Sequence, residues 1–115
     1  MEGWELFEKV GYRAEMAVTV YKSGHLALTK AVWNAIGAEY VELLYNRDIN
    51  KIGIRPSNKE SPNAHMLKSP PRLTSKLVNA SAFLVRYQLD SLRGEKYPAA
   101  EENGMVIIDI NKPMK

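Results

Sequence analysis

The first half of the chain opens with a β-branched, apolar segment followed by turn residues. Residues 17–21 read Ala-Val-Thr-Val-Tyr, and Lys22-Ser23-Gly24 comes directly after them. Leu26 and Leu28 then alternate with other residues. This pattern predicts a β-hairpin with its turn at Gly24.

The spacing of apolar residues changes to a helical one after the hairpin. Thr29 stands at an N-cap position, Val32, Trp33 and Ile36 follow at helical spacing, and Gly37 suits the left-handed residue after the last turn. A short helix is therefore predicted between Thr29 and Gly37.

Two more strands and a connector are predicted in the middle of the chain. Residues 40–45 and 51–55 are apolar and β-prone, and the Asn- and Asp-rich residues 46–50 between them suit a turn. Pro56 is expected to end the second strand. Residues 56–71 contain four prolines among Ser and Asn, which predicts a connector without a ladder or a helix.

The last third of the chain repeats this alternation of strand and helix signals. Residues 75–78 predict a short strand, and Asn79 is expected to cap a helix that reaches Leu89 or Leu92. The turn residues Glu102-Asn103-Gly104 precede a last apolar strand over residues 105–110.

These elements predict an α+β fold in a single domain, residues 1–115, with a small mixed sheet and two short helices. Residues 17–55 and 73–110 share one order of elements, strand, helix and further strands, on either side of a basic connector at 56–72. Two interpretations stay open: a tandem repeat about a pseudo-twofold axis, or a chance similarity of two small halves. Apolar strands such as residues 106–110 would be hazardous as free edges, which favours an intertwined dimer.

Composition excludes several classes of site. The chain has no Cys, so thiol chemistry, disulfides and structural zinc are excluded, and His25 and His65 alone make catalytic zinc a poor expectation. No Walker loop, dinucleotide fingerprint, nucleophile elbow or HExxH motif is present. We therefore expect no cofactor and no enzymatic activity. Residues 1–5 are acidic rather than basic and no apolar run is long enough for a membrane span, which predicts a cytoplasmic protein.

Charge is unevenly distributed along the chain. The formal net charge is +3, yet residues 51–76 hold six basic side chains against Glu60 alone. Such a cluster attracts polyanions. The alternative is a solvated linker, and both interpretations stay open.

The first half resembles the AbrB-type swapped-hairpin domain. The resemblance is carried by Val18-Thr19-Val20-Tyr21-Lys22-Ser23-Gly24-His25-Leu26-Ala27-Leu28-Thr29-Lys30, by Ile36-Gly37, by Val41-Glu42-Leu43-Leu44 and by Ile52-Gly53-Ile54-Arg55-Pro56. It covers residues 17–56 and implies a homodimer with interleaved hairpins that binds DNA through basic residues, here Lys22, Lys30 and Arg47. The whole chain is also similar to small uncharacterised bacterial proteins, which implies no function.

The leading hypothesis is a DNA-binding transcription regulator or accessory protein, with RNA as the alternative ligand, that acts through an electropositive surface. Six phosphate contacts would give a log–log salt slope of about −5 on duplex DNA. The expected phosphate-binding residues are Lys22, Lys30, Arg47, Lys51, Arg55, Lys68, Arg72 and Lys76.

Two alternatives accompany this hypothesis. The basic residues near 51–55 would equally keep an edge strand soluble. The second hypothesis for the protein is an interaction module, such as an antitoxin-like or scaffold dimer, whose strand Ile52–Arg55 or last strand pairs with a partner. Among the aromatic residues, Trp33 and Phe83 are predicted to pack in the core, whereas Tyr21 and Tyr97 are the better candidates for stacking on bases.

Overall fold

The structure is a computed structural model that describes Gly3 and residues 15–114. The acidic N-terminal segment, residues 1–5, lies outside the described residues except for Gly3. None of the described helices is long and apolar enough to cross a membrane. The elements are β1 Ala17–Val20, β2 His25–Leu28, α1 Lys30–Ile36, β3 Tyr40–Asn46, β4 Lys51–Ser57, β5 His65–Met66, β6 Lys76–Asn79, α2 Ser81–Arg86, a 3₁₀ turn at Asp90–Leu92, β7 Lys96–Glu102 and β8 Met105–Asp109.

The described strands form a single sheet in the order β5-β3-β4-β8-β7-β1-β2-β6, and every neighbouring pair is antiparallel. The sheet curls into a nearly closed barrel, with 41% of residues in strands and 16% helical. The predicted α+β class with a mixed sheet and two short helices is therefore wrong: the fold is mainly β, and α1 is the one described helix of seven or more residues.

One chain supplies all eight described strands of this barrel, so closing it does not require strands from a second copy, and the intertwined dimer stays a prediction. The apolar strands that looked like free edges in the sequence pair within the chain. β8 pairs with β4 on one side and with β7 on the other. Residues 52–54 of β4 and 106–108 of β8 are paired on both sides, so a partner strand cannot add at those positions. The interaction module itself stays a hypothesis.

The segment predicted to be an unpaired connector brings the barrel close to closure. In β5, Met66 pairs with Tyr40 of β3. Two residues later, the N–H of Lys68 donates to the Leu77 carbonyl and the N–H of Leu77 donates to the Lys68 carbonyl, both at 2.8 Å. The four prolines of this segment lie outside residues 65–68, which is why a ladder forms there.

If the bridge between Lys68 and Leu77 is taken as closing the barrel, the cyclic strand order is the same, read in the opposite direction, when the first four strands are exchanged with the last four. Each set of four consists of a strand pair, a helix and a second strand pair, with α1 in one set and α2 in the other. The second set begins at β5, inside the predicted connector. β2 and β6 are antiparallel neighbours, and α1 and α2 follow them directly. The two helices therefore lie at opposite ends of the barrel.

The first hairpin and the first helix are confirmed. Gly37 ends α1 with φ 66°, the left-handed conformation that glycine adopts without strain. The Thr29 side chain does not cap the helix: its Oγ1 donates to the Glu15 carbonyl and accepts the N–H of Ala17. It ties the helix start to β1 instead.

Pro56 does not end β4, which runs to Ser57. The ladder between β4 and β8 ends at Ile54, so β4 is paired on one side only where Pro56 occurs. A missing N–H is tolerated at such a position.

The predictions for the last third are wrong in two places. α2 ends at Arg86 rather than at Leu89 or Leu92, because Gln88 takes a left-handed φ of 57°. The strand β7 was not predicted, since Pro98 looked like a chain break, yet Pro98 pairs with Ala17 of β1. The short strand after Ser75 and the last strand are confirmed as β6 and β8.

The interior of the barrel is apolar. Fully buried side chains come from most strands, for example Val18, Leu28 and Ile54. Val32 of α1 and Leu84 of α2 are also fully buried and join the same core. Because each helix lies at one end of the barrel, these two residues cover the two ends of the core.

Candidate nucleic-acid interface

The eight predicted phosphate-binding residues do not form one continuous surface. Lys30 begins α1 and Lys76 begins β6, so both lie at the end of the barrel that α1 covers. Lys22 and Arg47 occupy turns at the opposite end, which α2 covers. The α1 end holds Lys30, Lys68, Arg72 and Lys76; the α2 end holds Lys22, Arg47 and Lys51; and Arg55 lies on the outer wall.

Trp33 contacts Lys76 and the loop before β6 at the α1 end. Its indole Nε1 donates to the Thr74 carbonyl at 3.0 Å, which ties α1 to the loop before β6. The Lys76 Nζ lies 4.4 Å from the centroid of the Trp33 ring, a cation–π geometry. One face of a half-buried aromatic ring is therefore already paired with a cation.

A shallow cavity of about 270 Å³ lies beside this pair. Lys30 and Lys76 line it together with Trp33 and residues 69 and 73–75. Leu73 in its wall is 52% exposed. We call Lys30, Trp33, Lys68, Arg72, Leu73 and Lys76 the Trp33 patch.

The cations of the Trp33 patch have no carboxylate partner within the described chain. The ion pairs among described residues join Arg55 to Glu42, Arg93 to Asp90 and Lys96 to Glu15. Residues 61–89, which supply most of the patch, contain no Asp or Glu. The nearest acidic side chain identified is Glu39, which lines a neighbouring cavity with Trp33 and Lys76 without forming an ion pair among the described residues.

Arg72 has a backbone conformation that non-glycine residues rarely adopt. Its φ is 67°, in the left-handed region, within a turn in which the Leu73 N–H donates to the Pro70 carbonyl at 3.4 Å. This conformation costs a non-glycine residue roughly 1–2 kcal/mol. Strain of this kind is concentrated at functional sites.

Arg55 is committed to another role. Its Nη2 lies 2.7 Å from Glu42 Oε1, and its Nε donates to the same oxygen at 2.8 Å. Glu42 also accepts from Ser61 Oγ at 2.6 Å and from Ser57 Oγ at 3.0 Å. The hydrogen bonds from Ser61, Arg55 and Ser57 lower the pKa of Glu42 to about 2. This network fixes the loop after β4, and we remove Arg55 from the predicted phosphate-binding set.

A second basic and aromatic cluster lies at the α2 end. The Arg47 guanidinium is 5.5 Å from the Tyr87 ring centroid and 5.7 Å from that of Tyr45. Arg86 lies 5.8 Å from the same Tyr87 ring. The Tyr45 and Tyr87 rings are 5.1 Å apart. We call Arg47, Arg86, Tyr45, Phe83 and Tyr87 the Tyr87 cluster.

Lys22 and Lys51 lie apart from this cluster. The Lys22 carbonyl accepts from Arg93 Nη1 at 2.9 Å. Lys51 stands opposite Asp109 across the ladder of β4 and β8, where it contributes to lowering the Asp109 pKa after the larger effect of hydrogen bonds from Asn111. Lys51 is thus partly compensated by a neighbouring carboxylate.

The aromatic predictions are mixed. Trp33 and Phe83 pack against the core as predicted, although Trp33 also lines the surface cavity. Tyr97 was predicted to be a stacking residue and is instead 3% exposed, with a pKa that burial raises. Tyr21 is 37% exposed.

Arg86 and Leu73 were missed from the sequence. The absence of acidic residues over 61–89 is the signal that would have pointed to Arg86. No local signal marks the contact of Trp33 with the loop before β6.

No cluster of three or more potential metal ligands occurs within residues that the structure describes. Comparison of the chain with family models, curated proteins and solved structures finds no significant match.

Proposed function

We propose that this protein binds nucleic acid through the Trp33 patch, with DNA as the expected ligand. The observation that carries the proposal is that Lys30 and Lys76 line one cavity with the partly buried Trp33. Lys68 and Arg72 adjoin residues 69 and 73 of the same cavity wall, and none of the four cations is in an ion pair among the described residues. Phosphates attract such cations and release their counterions, and this supplies most of the affinity of nonspecific binding. The proposal places the protein in the cytoplasm, as a regulator or accessory protein.

The aromatic and apolar members suit the bases rather than the phosphates. Lys76 covers one part of the Trp33 ring, while Lys30 and Lys76 both border the cavity next to it. Leu73 adds an exposed apolar side chain to the same wall. A base at an end, loop or bulge can stack in such a place while the cations contact neighbouring phosphates. The patch therefore favours strands with unpaired bases over uninterrupted duplex.

The test is a comparison of two double charge reversals. K30E/K76E changes two residues that line the cavity, and K59E/K112E makes the same change of net charge at two exposed lysines outside it. Loss of two phosphate contacts predicts about 30-fold weaker binding at the Trp33 patch itself at ~0.15 M salt. The measurement is fluorescence anisotropy with labelled single-stranded and duplex oligonucleotides, with thermal melts to show that both variants fold.

The control variant distinguishes a specific interface from an effect of net charge alone. If K30E/K76E weakens binding and K59E/K112E retains more than half of the wild-type affinity, the patch is the interface. Equal losses in the two variants would show that only net charge matters and would contradict the proposal. The homodimer stays a prediction, and size-exclusion chromatography with light scattering would test it.

A further inference from the structure

The α2 end of the barrel combines basic and aromatic side chains, as the α1 end does. Both ends present arginine or lysine against the face of a partly exposed aromatic ring, Lys76 against Trp33 and Arg47 against Tyr87. The two ends are also equivalent in the strand order, because exchanging the two sets of four strands exchanges α1 with α2.

Two guanidinium groups lie within 6 Å of the centre of the Tyr87 ring. Arg47 comes from the turn between β3 and β4, and Arg86 comes from the last turn of α2. Neither arginine is in an ion pair within the described part of the chain. Guanidinium groups stack on aromatic rings while their N–H donors stay free for phosphate oxygens.

A cavity of about 440 Å³ adjoins this arrangement. Phe83, Arg86 and Tyr87 form one wall, and the Phe83 and Tyr87 rings meet edge to face at 5.1 Å. Glu42 also borders the cavity, but its oxygens are occupied by Arg55, Ser57 and Ser61. The free charge of this wall is therefore positive, and its apolar surface is aromatic.

We propose that the Tyr87 cluster is a second nucleic-acid site, so that one chain holds two separate strands or duplexes at opposite ends of its barrel. This inference rests on the function proposed for the Trp33 patch. Because β2 and β6 are antiparallel, the two helices and the clusters beside them face in opposite directions. The seven residues of β4 span roughly 20 Å between the ends. A short oligonucleotide at one end does not reach the other end, so occupancy of both requires two molecules.

The test is a bridging assay with two unlinked oligonucleotides. One oligonucleotide is immobilised on beads through biotin, a second carries a fluorophore, and recovery of fluorescence on the beads is measured as protein is added. Wild type and K59E/K112E should recover the second oligonucleotide. R47E/R86E and K30E/K76E should each lose at least 80% of this recovery, while each still binds a single labelled oligonucleotide through its remaining site. All three double variants change the net charge equally.

The outcomes separate the two proposals. If R47E/R86E bridges as well as wild type, the second site is wrong and bridging arises from association of two chains, which light scattering on the same samples would show. If R47E/R86E loses bridging but K30E/K76E neither binds more weakly nor loses bridging, the function proposed for the Trp33 patch fails instead. Loss of binding by R47E/R86E comparable to that of K30E/K76E, with bridging lost in both, supports two sites of similar strength.

Discussion

The Lys76 ammonium lies 4.4 Å from the centre of the Trp33 ring, which brings the first residue of β6 onto the exposed side of α1. The indole N–H of the same tryptophan donates a hydrogen bond to the Thr74 carbonyl. An exposed cation–π contact stabilises by about 0.5–1 kcal/mol. These two contacts position the loop that carries Arg72 beside the start of the helix.

Replacement of Arg72 by Gly should separate stability from binding. The left-handed φ of 67° strains a residue with a Cβ and does not strain glycine. We expect Arg72→Gly to raise the free energy of unfolding by up to about 1 kcal/mol while nucleic-acid affinity falls. Urea denaturation and anisotropy on the same preparation measure both quantities. A variant that is more stable and binds as tightly as wild type would remove Arg72 from the interface.

Closure of the barrel predicts a pattern of amide exchange. The amides of Lys68 and Leu77 bond to each other's carbonyl, whereas no described hydrogen bond involves the amide of Arg72. Hydrogen exchange followed by NMR should therefore show protection of Lys68 and Leu77 near that of the central strands, with fast exchange at Arg72. Equally fast exchange at all three amides would mean that the segment does not pair with β6.

The Glu42 network predicts a defined dependence of stability on acid. Its carboxyl has a pKa of about 2 in the folded chain against an ordinary value of 4.5. The folded chain favours the ionised form, so this contribution is present above pH 4.5 and is lost as the pH falls from 4.5 toward 2. Glu42→Gln should destabilise the protein at pH 7 and flatten its stability profile between pH 4.5 and 2. Identical acid profiles of variant and wild type by urea denaturation would contradict this role.

Two glycines should respond differently to the same substitution. A Cβ at Gly24, whose φ is +93°, would lie 3.0 Å from the Ser81 Cα at the start of α2. A Cβ at Gly53 would meet only the flexible end of Met105. We expect Gly24→Ala to cost about 2 kcal/mol or more and Gly53→Ala less than about 1 kcal/mol, measured by chemical denaturation. The reverse order would place the turn at Gly24 away from α2.

Local signals predicted the elements that depend on one or two residues. The turn at Gly24 and the end of α1 at Gly37 both use positive φ angles, and glycine at those positions was visible in the sequence. The short helix and the hairpin of β3 and β4 were equally local, and they are confirmed.

Features that join distant segments were not predictable in this way. Pro98 suggested a break because nothing local shows that β1 pairs with it. The mixed-sheet prediction failed because the closure of the barrel determines which strands become neighbours. The pairs that bring the barrel close to closure are few, two in β5 and one at Lys68, so no long strand pattern marks them. At the candidate site, Trp33 meets Thr74 across 41 positions of sequence, so its surface role could not be separated from core packing.

The salt dependence of binding tests the central claim most directly, because its slope counts the phosphates that the protein neutralises. The measurement uses R47E/R86E, which leaves the Trp33 patch as the remaining site, and compares it with the same chain carrying K30Q/K76Q in addition. Four cations acting together predict a log–log slope of about −3 on single-stranded DNA, and two predict about −1.5. An unchanged slope after the loss of Lys30 and Lys76 would show that these residues do not contact the ligand.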